Sequence, residues 1–151
     1  MKALVTGGAG FIGSHVVEAL MSDGVEVSVL DNLSIGLRQN LPEGIEFHHG
    51  SILDRELVSR LVKSVDIVYH MACVTLPVSL TEPVLSHEVN ANGSLVILEA
   101  IRASDTRLVH ISTSEVYGNA IRPAMDEDHP LRPRTPYAGS KLAGEGLAHA
   151  Y

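Results

Sequence analysis

Tyr137 and Lys141 stand four residues apart in Tyr137-Ala138-Gly139-Ser140-Lys141, so on a helix a phenol and an ammonium share one face, a turn apart. A free tyrosine, with a pKa of about 10, is a poor base at neutral pH. A cation beside it stabilises the phenolate and lowers that pKa, which makes the ring an acid/base group for a substrate hydroxyl. Upstream, Ser112-Thr113-Ser114-Glu115 closes an apolar run, and Thr113 is the candidate hydroxyl for holding the same substrate oxygen. Taken alone, the Tyr/Lys pair is better explained as a solvated helix face. Its meaning comes from the other end of the chain.

There an apolar run, Ala3-Leu4-Val5, leads into Thr6-Gly7-Gly8-Ala9-Gly10-Phe11-Ile12-Gly13 and then into a helical pattern. Glycines at such a place let the chain turn sharply, let backbone N–H groups approach a pyrophosphate, and let the helix start pack on the strand. The helix N-terminus adds unpaired donors and the positive end of its dipole. Two registers fit, Gly7-x-x-Gly10-x-x-Gly13 and Gly8-x-Gly10-x-x-Gly13, and Gly7, Gly10, Phe11, Ile12 and Gly13 are the candidate phosphate-loop residues. Asp31 closes the next β-branched run roughly twenty residues on, where a dinucleotide fold places an acid on the adenosine ribose. Its charge would repel a 2′-phosphate, which favours NAD over NADP. The positive nicotinamide ring would then assist Lys141, and the substrate carbon would lose hydride as Tyr137 takes the proton.

The elements that must position these groups alternate along the chain. Helical spacing predicts Ile12, Val16, Ala19 and Leu20 as the inward stripe of a first helix, with Ser14, His15 and Glu18 off it and Gly24 ending it. Strands are expected at Val25–Leu30, Ile45–His48, Asp66–His70 and Arg107–Ile111. Asp54 is the expected N-cap of a helix with Leu57, Val58, Leu61 and Val62 inward. Met71, Ala72 and Cys73 follow the fourth strand, where backbone could lie close to a cofactor. Pro77 and Pro83 bracket an expected loop before a helix from about Val84 to Ala103, with Val89, Val96, Ile97 and Ala100 inward and Asn90 and Asn92 on its surface. Thr135-Pro136 reads as an N-cap with proline at the first position of a last helix. This alternation predicts an α/β fold, a doubly wound (Rossmann) parallel sheet in order 3-2-1-4-5, with ligand at the carboxyl edge of the strands.

The totals agree with an enzyme-like globular domain. At 151 residues the chain is one domain's worth, and 45% apolar residues argue against disorder. A net charge of -7 at pH 7 without a basic cluster argues against nucleic acid. The single cysteine, Cys73, excludes an internal disulfide and fits a reducing compartment. No apolar run is long enough for a bilayer and no signal peptide is visible, so cytoplasmic residence is expected. His48-His49 lacks the spacing of a metal motif, and no metal site is expected.

Together these stretches resemble the extended short-chain dehydrogenase/reductase family, the NAD-dependent nucleotide-sugar epimerases and dehydratases. The resemblance is carried by Thr6 to Ser14, Asp31-Asn32-Leu33-Ser34, Asn90-Ala91-Asn92-Gly93-Ser94, Ser112-Thr113-Ser114-Glu115-Val116-Tyr117-Gly118 and Tyr137-x-x-x-Lys141. It implies bound NAD that oxidises a nucleotide-sugar, a UDP-sugar above all, to a transient keto sugar and later returns the hydride. It also implies that Asn32 and Ser34 lie near the adenosine, that Ile52 packs by the adenine, that Asn90 and Ser112 help frame the cofactor, and that the protein is a homodimer.

Departures from the family pattern bear on the reaction. Ser51 stands where relatives carry Asp beside the adenine amine, and Cys73 stands where Ala or Gly is common, as an inert buried thiol. Ser114 replaces the Asp of a 4,6-dehydratase while Glu115, its partner acid/base, is present; Thr-Ser-Glu also resembles UDP-glucuronate decarboxylases, and Asp31 to Ser34 resembles 4-epimerases. The chain stops at the Tyr/Lys helix, where relatives continue into a lobe that grips the sugar. Residues 1–151 are therefore expected to be an NAD-binding domain lacking its C-terminal substrate lobe. Leu142, Ala143, Leu147 and Ala150 would be a stripe awaiting cover, and Gly139, Gly144 and Gly146 would let the helix fray. A non-catalytic NAD-binding module and a marginally folded fragment remain the alternatives to part of an enzyme.

Overall fold

Three of five short strands are mostly buried, as expected at the centre of a sheet covered on both faces, and the two outer ones are only partly so. In the computed structural model, which describes residues 1–102 and 104–151, the five are β1 (Lys2–Thr6), β2 (Glu26–Asp31), β3 (Glu46–His49), β4 (Ile67–His70) and β5 (Arg107–His110). All pair in parallel, in the order β3-β2-β1-β4-β5. Alternate residues enter opposite cores. Leu4, Leu30 and Val68 pack with Val58, Leu61, Val62, Val96 and Ile97, whereas Val5 and Val29 pack with Ala9, Val17, Leu41 and Ile45. Helices α2 (Arg55–Val62) and α5 (Gly93–Ile101) supply the partners on the first face, and Val17 of α1 (Phe11–Ser22) with the loop residues Ala9, Leu41 and Ile45 those on the second; each buried Val, Leu or Ile contributes about 1.5–3 kcal/mol.

Asp54 caps α2 as expected, its Oδ1 accepting from Glu56 N–H at 3.1 Å and Leu57 N–H at 3.0 Å. Asp54→Ala is expected to lower stability by about 1 kcal/mol, read as a fall in the urea midpoint at constant slope. An unchanged midpoint would show that water caps the helix equally well.

Three expectations change. The Pro77–Pro83 stretch is not a loop: α3 (Leu76–Thr81) and α4 (Pro83–His87) each begin with proline in the first turn, where its missing N–H costs nothing. The long helix expected from Val84 is broken by a π turn at Glu88–Asn92 before α5, and its expected end at Ala103 lies outside the described residues. In α1 the buried positions are Gly13, Ser14 and Val17, while Ile12 is 64% exposed. That face is inward because Gly13 packs directly on the loop backbone, which turns Ile12 toward the mouth of the site.

The last helix, α6 (Pro136–Ala150), starts at the Thr135 cap, whose Oγ1 accepts from Ala138 N–H at 3.1 Å. It buries Ala138, Ser140, Lys141 and Gly144 rather than Leu142, Ala143, Leu147 and Ala150. Gly144 decides that face: a Cβ there would stand 3.0 Å from both Asn90 O and Ser94 Oγ. No helix among the described residues is long and apolar enough to cross a membrane.

Candidate functional site

The carboxyl ends of β1, β2, β4 and β5 carry the candidate residues, and the glycine loop is the first group built there. Gly7 takes φ 71°, and a Cβ on it would meet Ala72 N and Cα at 2.7 Å. A Cβ on Gly13 would lie 2.2 Å from Gly7 O. A Cβ on Gly8 would also crowd Val29 Cγ1 at 2.8 Å, so the packing requires glycines of both registers. Gly10 opens α1 with no side-chain cap, and Phe11, 79% exposed, stands with Ile12 at its first turn.

Asp31 is buried and ties this loop to β2. Its Oδ2 accepts from Ala9 N–H at 3.0 Å and its Oδ1 from Leu33 N–H at 2.8 Å. Ala9 O in turn accepts from Leu37 N–H at 3.0 Å and from Asn40 Nδ2 at 2.8 Å. Asn40 carries no signal in the sequence, because its role depends on a loop folding back beneath Ala9. Asn32 Oδ1 accepts from Ser34 N–H at 3.1 Å in a tight turn, leaving both residues exposed beside Asp31.

The two expected adenine-side residues, Ser51 and Ile52, follow β3. Ser51 Oγ already accepts from Leu53 N–H at 3.1 Å, so the hydroxyl is a turn-former with its proton left to donate. Ile52 is 5% exposed in the core and fills the space beside Gly93, where a Cβ would come within 2.4 Å of its Cδ1. The missing Cβ of Gly93 draws it inward.

Asn90 is the clearest correction. Instead of lying on a helix surface it is 1% exposed, because the π turn inserts an extra residue and rotates it inward. Its Oδ1 accepts from Val74 N–H at 2.7 Å, and its Nδ2 donates to Val74 O at 3.1 Å and Ser140 Oγ at 3.0 Å. Asn90 thus frames the site through the loop and helix around it. Ser79, another residue not singled out from the sequence, accepts the Tyr137 N–H at 3.2 Å, and Ser140 Oγ donates to Tyr137 O at 2.8 Å.

At the far end Tyr137, Thr113, Cys73 and Lys141 converge. The Tyr137 hydroxyl is pushed above its ordinary pKa, first by burial and then by the Cys73 thiol, while hydrogen bonding from Thr113 acts the other way and the Glu115 charge adds to the rise. Lys141 does not lower it here: its Nζ donates to Ile111 O, and burial pushes the ammonium itself below its usual pKa. Cys73 lies beside this group. Burial raises its thiol, and both Lys141 and a hydrogen bond with Tyr137 pull it down. Glu115 is exposed at the rim, and Ser112 Oγ is buried with no partner. Met71 and Ala72 are half-buried between the two ends. Among the described residues no cluster of three or more His, Cys, Asp or Glu suits a metal ion.

This constellation can be set beside known proteins. The family model described as GDP-mannose 4,6 dehydratase matches residues 4–151. The chain belongs to that family. Its members differ in reaction at similar distances from this chain. It is 42% identical to the Thermus thermophilus UDP-glucose 4-epimerase solved in complex with NAD, with a TM-score of 0.92 over 100% of this chain and 50% of that one. It is 41% identical to the dTDP-glucose 4,6-dehydratase of Streptomyces niveus over 100% of this chain and 49% of that one. To the UDP-glucuronic acid decarboxylase 1 of Danio rerio it is 35% identical, over 99% of this chain and 37% of that one. The chain thus spans about half or less of the length of these family members.

Proposed function

We propose that residues 1–151 are the cofactor-binding part of an NAD-dependent nucleotide-sugar 4-epimerase, with UDP-glucuronate decarboxylase and sugar 4,6-dehydratase as the alternatives within the family. One observation carries this reading: the single segment Ala72-Cys73 runs past both ends of the site, Ala72 against Gly7 and Cys73 near enough to Tyr137 for each to act on the other's pKa. An extended dinucleotide laid along that segment has its pyrophosphate at the glycines and its nicotinamide at the phenol.

The residues fit such a group. The loop has no Cβ where Gly7, Gly10 and Gly13 stand, the α1 start has no capping side chain, Asp31 ends β2 beside the loop, and Ser112 Oγ, buried without a partner, adjoins Thr113 in the chain. Bound NAD supplies a hydride acceptor and donor there. Tyr137 moves the proton of the sugar hydroxyl, Thr113 holds that oxygen by hydrogen bonding, and Lys141 keeps Ile111 and the segment around it in place while providing positive charge. Glu115, exposed at the rim, would serve as a second acid/base only in a dehydratase or decarboxylase.

The test is to assay a chain of full family length with UDP-glucose, UDP-glucuronate and dTDP-glucose in the presence of NAD. Epimerised UDP-sugar supports the proposal, decarboxylated or dehydrated product selects an alternative, and no NAD-dependent product from any of the three overturns the enzyme reading. The second reading, a non-catalytic NAD-binding module, predicts that these 151 residues bind NAD without turnover.

A further inference from the structure

Between the glycine loop and the Tyr137 helix runs a buried chain of polar groups with no part in the chemistry just described. Thr6, His70, Ser94 and Asn90 are each no more than 1% exposed. Thr6 Oγ1 lies 2.8 Å from His70 Nδ1, and His70 Nε2 lies 3.1 Å from Ser94 Oγ. Ser94 Oγ donates to Asn90 O at 2.6 Å.

The protons on this chain can be placed by elimination. A carbonyl only accepts, so the Ser94 hydrogen points to Asn90 O, and the Ser94 oxygen must accept from His70 Nε2. His70 therefore carries its hydrogen on Nε2. Burial, with the charges of His110 and Lys141 acting the same way, pushes its pKa down to about 3, so the ring is neutral and Nδ1 is a bare acceptor. Thr6 then donates to Nδ1, and its oxygen accepts from Met71 N–H at 3.2 Å and Ala72 N–H at 3.3 Å. Every hydrogen in the chain points one way, from the Met71-Ala72 backbone to Asn90 O.

The two ends of the chain are the two ends of the site. Thr6 immediately precedes Gly7, and Asn90 holds Val74 and, through Ser140, the backbone of Tyr137. We propose that His70, as its Nε2–H tautomer, is a positioning residue that sets the phosphate loop in register with the Tyr137 helix; the functional part of this rests on the NAD-dependent reading above. A histidine suits the task because one neutral ring accepts at one edge and donates at the other with a rigid spacing between them. An amide side chain of asparagine or glutamine length can imitate only one of those edges at a time.

That difference supplies the experiment, made on the 151-residue chain. In the unmodified protein, ¹⁵N spectra of the histidine ring should show His70 protonated on Nε2 throughout pH 6–8. His70→Asn keeps the acceptor facing Thr6 and loses the donor to Ser94; His70→Gln does the reverse. For His70→Asn the expected result is about tenfold faster hydrogen exchange at Val74 N–H, with NAD affinity and the Met71 and Ala72 amides within about threefold of the parent. For His70→Gln the pattern inverts, with NAD affinity falling about tenfold and Val74 protected. Equal losses at both ends in both variants would mean that the ring only fills space, and an Nδ1–H tautomer in the parent would also overturn the proposal. Should either histidine variant not fold, Thr6→Val removes the first link with little change in shape and should weaken NAD binding while sparing Val74. Tautomer and exchange need no cofactor, so a split in exchange without NAD binding by the parent would uphold the relay and reject the cofactor reading.

Discussion

Tyr137→Phe, introduced into a chain of full family length, is expected to lower turnover of the nucleotide-sugar by roughly 10²- to 10⁴-fold, the usual worth of a positioned acid/base group, with NAD affinity within about threefold. The backbone around the ring is held independently of its hydroxyl, by Ser79 at Tyr137 N–H and Ser140 at Tyr137 O, so the helix start should stay in place. What disappears is a proton-transfer group on which both Thr113 and Cys73 act. Steady-state kinetics and a NAD titration on the same preparation decide the matter. A loss of less than about tenfold would assign the proton to another residue, with Glu115 next in line.

The second large effect is acid sensitivity. His70, at about 3, and His110, at about 4, both lie below the ordinary histidine value, burial being the first cause in each and the Lys141 charge a further one. Both His110 ring nitrogens are buried without a partner, so protonating that ring gains no hydrogen bond. The unfolded chain takes up these protons at about pH 6.5 while the folded chain refuses them. Stability is therefore complete above that pH and is lost as pH falls from about 6.5 toward 3, with no further loss from these two groups below their folded values. His70 alone should cost about 2 kcal/mol at pH 5 relative to pH 7; half-buried His110 adds a smaller amount in the same direction. Urea midpoints at the two pH values test this, and His70→Gln should remove most of the difference. Equal midpoints at pH 5 and pH 7 would show that the ring protonates in the folded protein.

The architecture was readable because it rests on short-range patterns. Strand-length apolar runs at β1, β2 and β4, the glycines from Gly7 to Gly13, and the caps at Asp54 and Thr135 each determine local backbone geometry, and alternating strands and helices leave few parallel topologies to choose from. The errors fall where a helix has more than one face to offer. Periodicity gave α1 its apolar stripe, but Gly13 sets the buried face, as Gly144 does in α6, since helices approach most closely where no Cβ intervenes. The π turn at Glu88–Asn92 is invisible in the sequence for a related reason: one extra residue in a helix leaves no mark on composition, yet it turns Asn90 from surface into the hub of Val74 and Ser140.

By itself, then, the sequence determined the doubly wound sheet, the glycine loop, Asp31 at the end of β2 and the Tyr137/Lys141 pair on one helix, because local propensity and hydrophobic spacing are properties of neighbouring residues. Only the tertiary structure decided that Lys141 would be spent on Ile111 O, that Cys73 would lie near Tyr137, and that His70 would link Thr6 to Ser94. Those contacts join residues far apart in the chain, and their geometry and protonation are set by burial, a quantity that exists only once the sheet and its helices have closed around them.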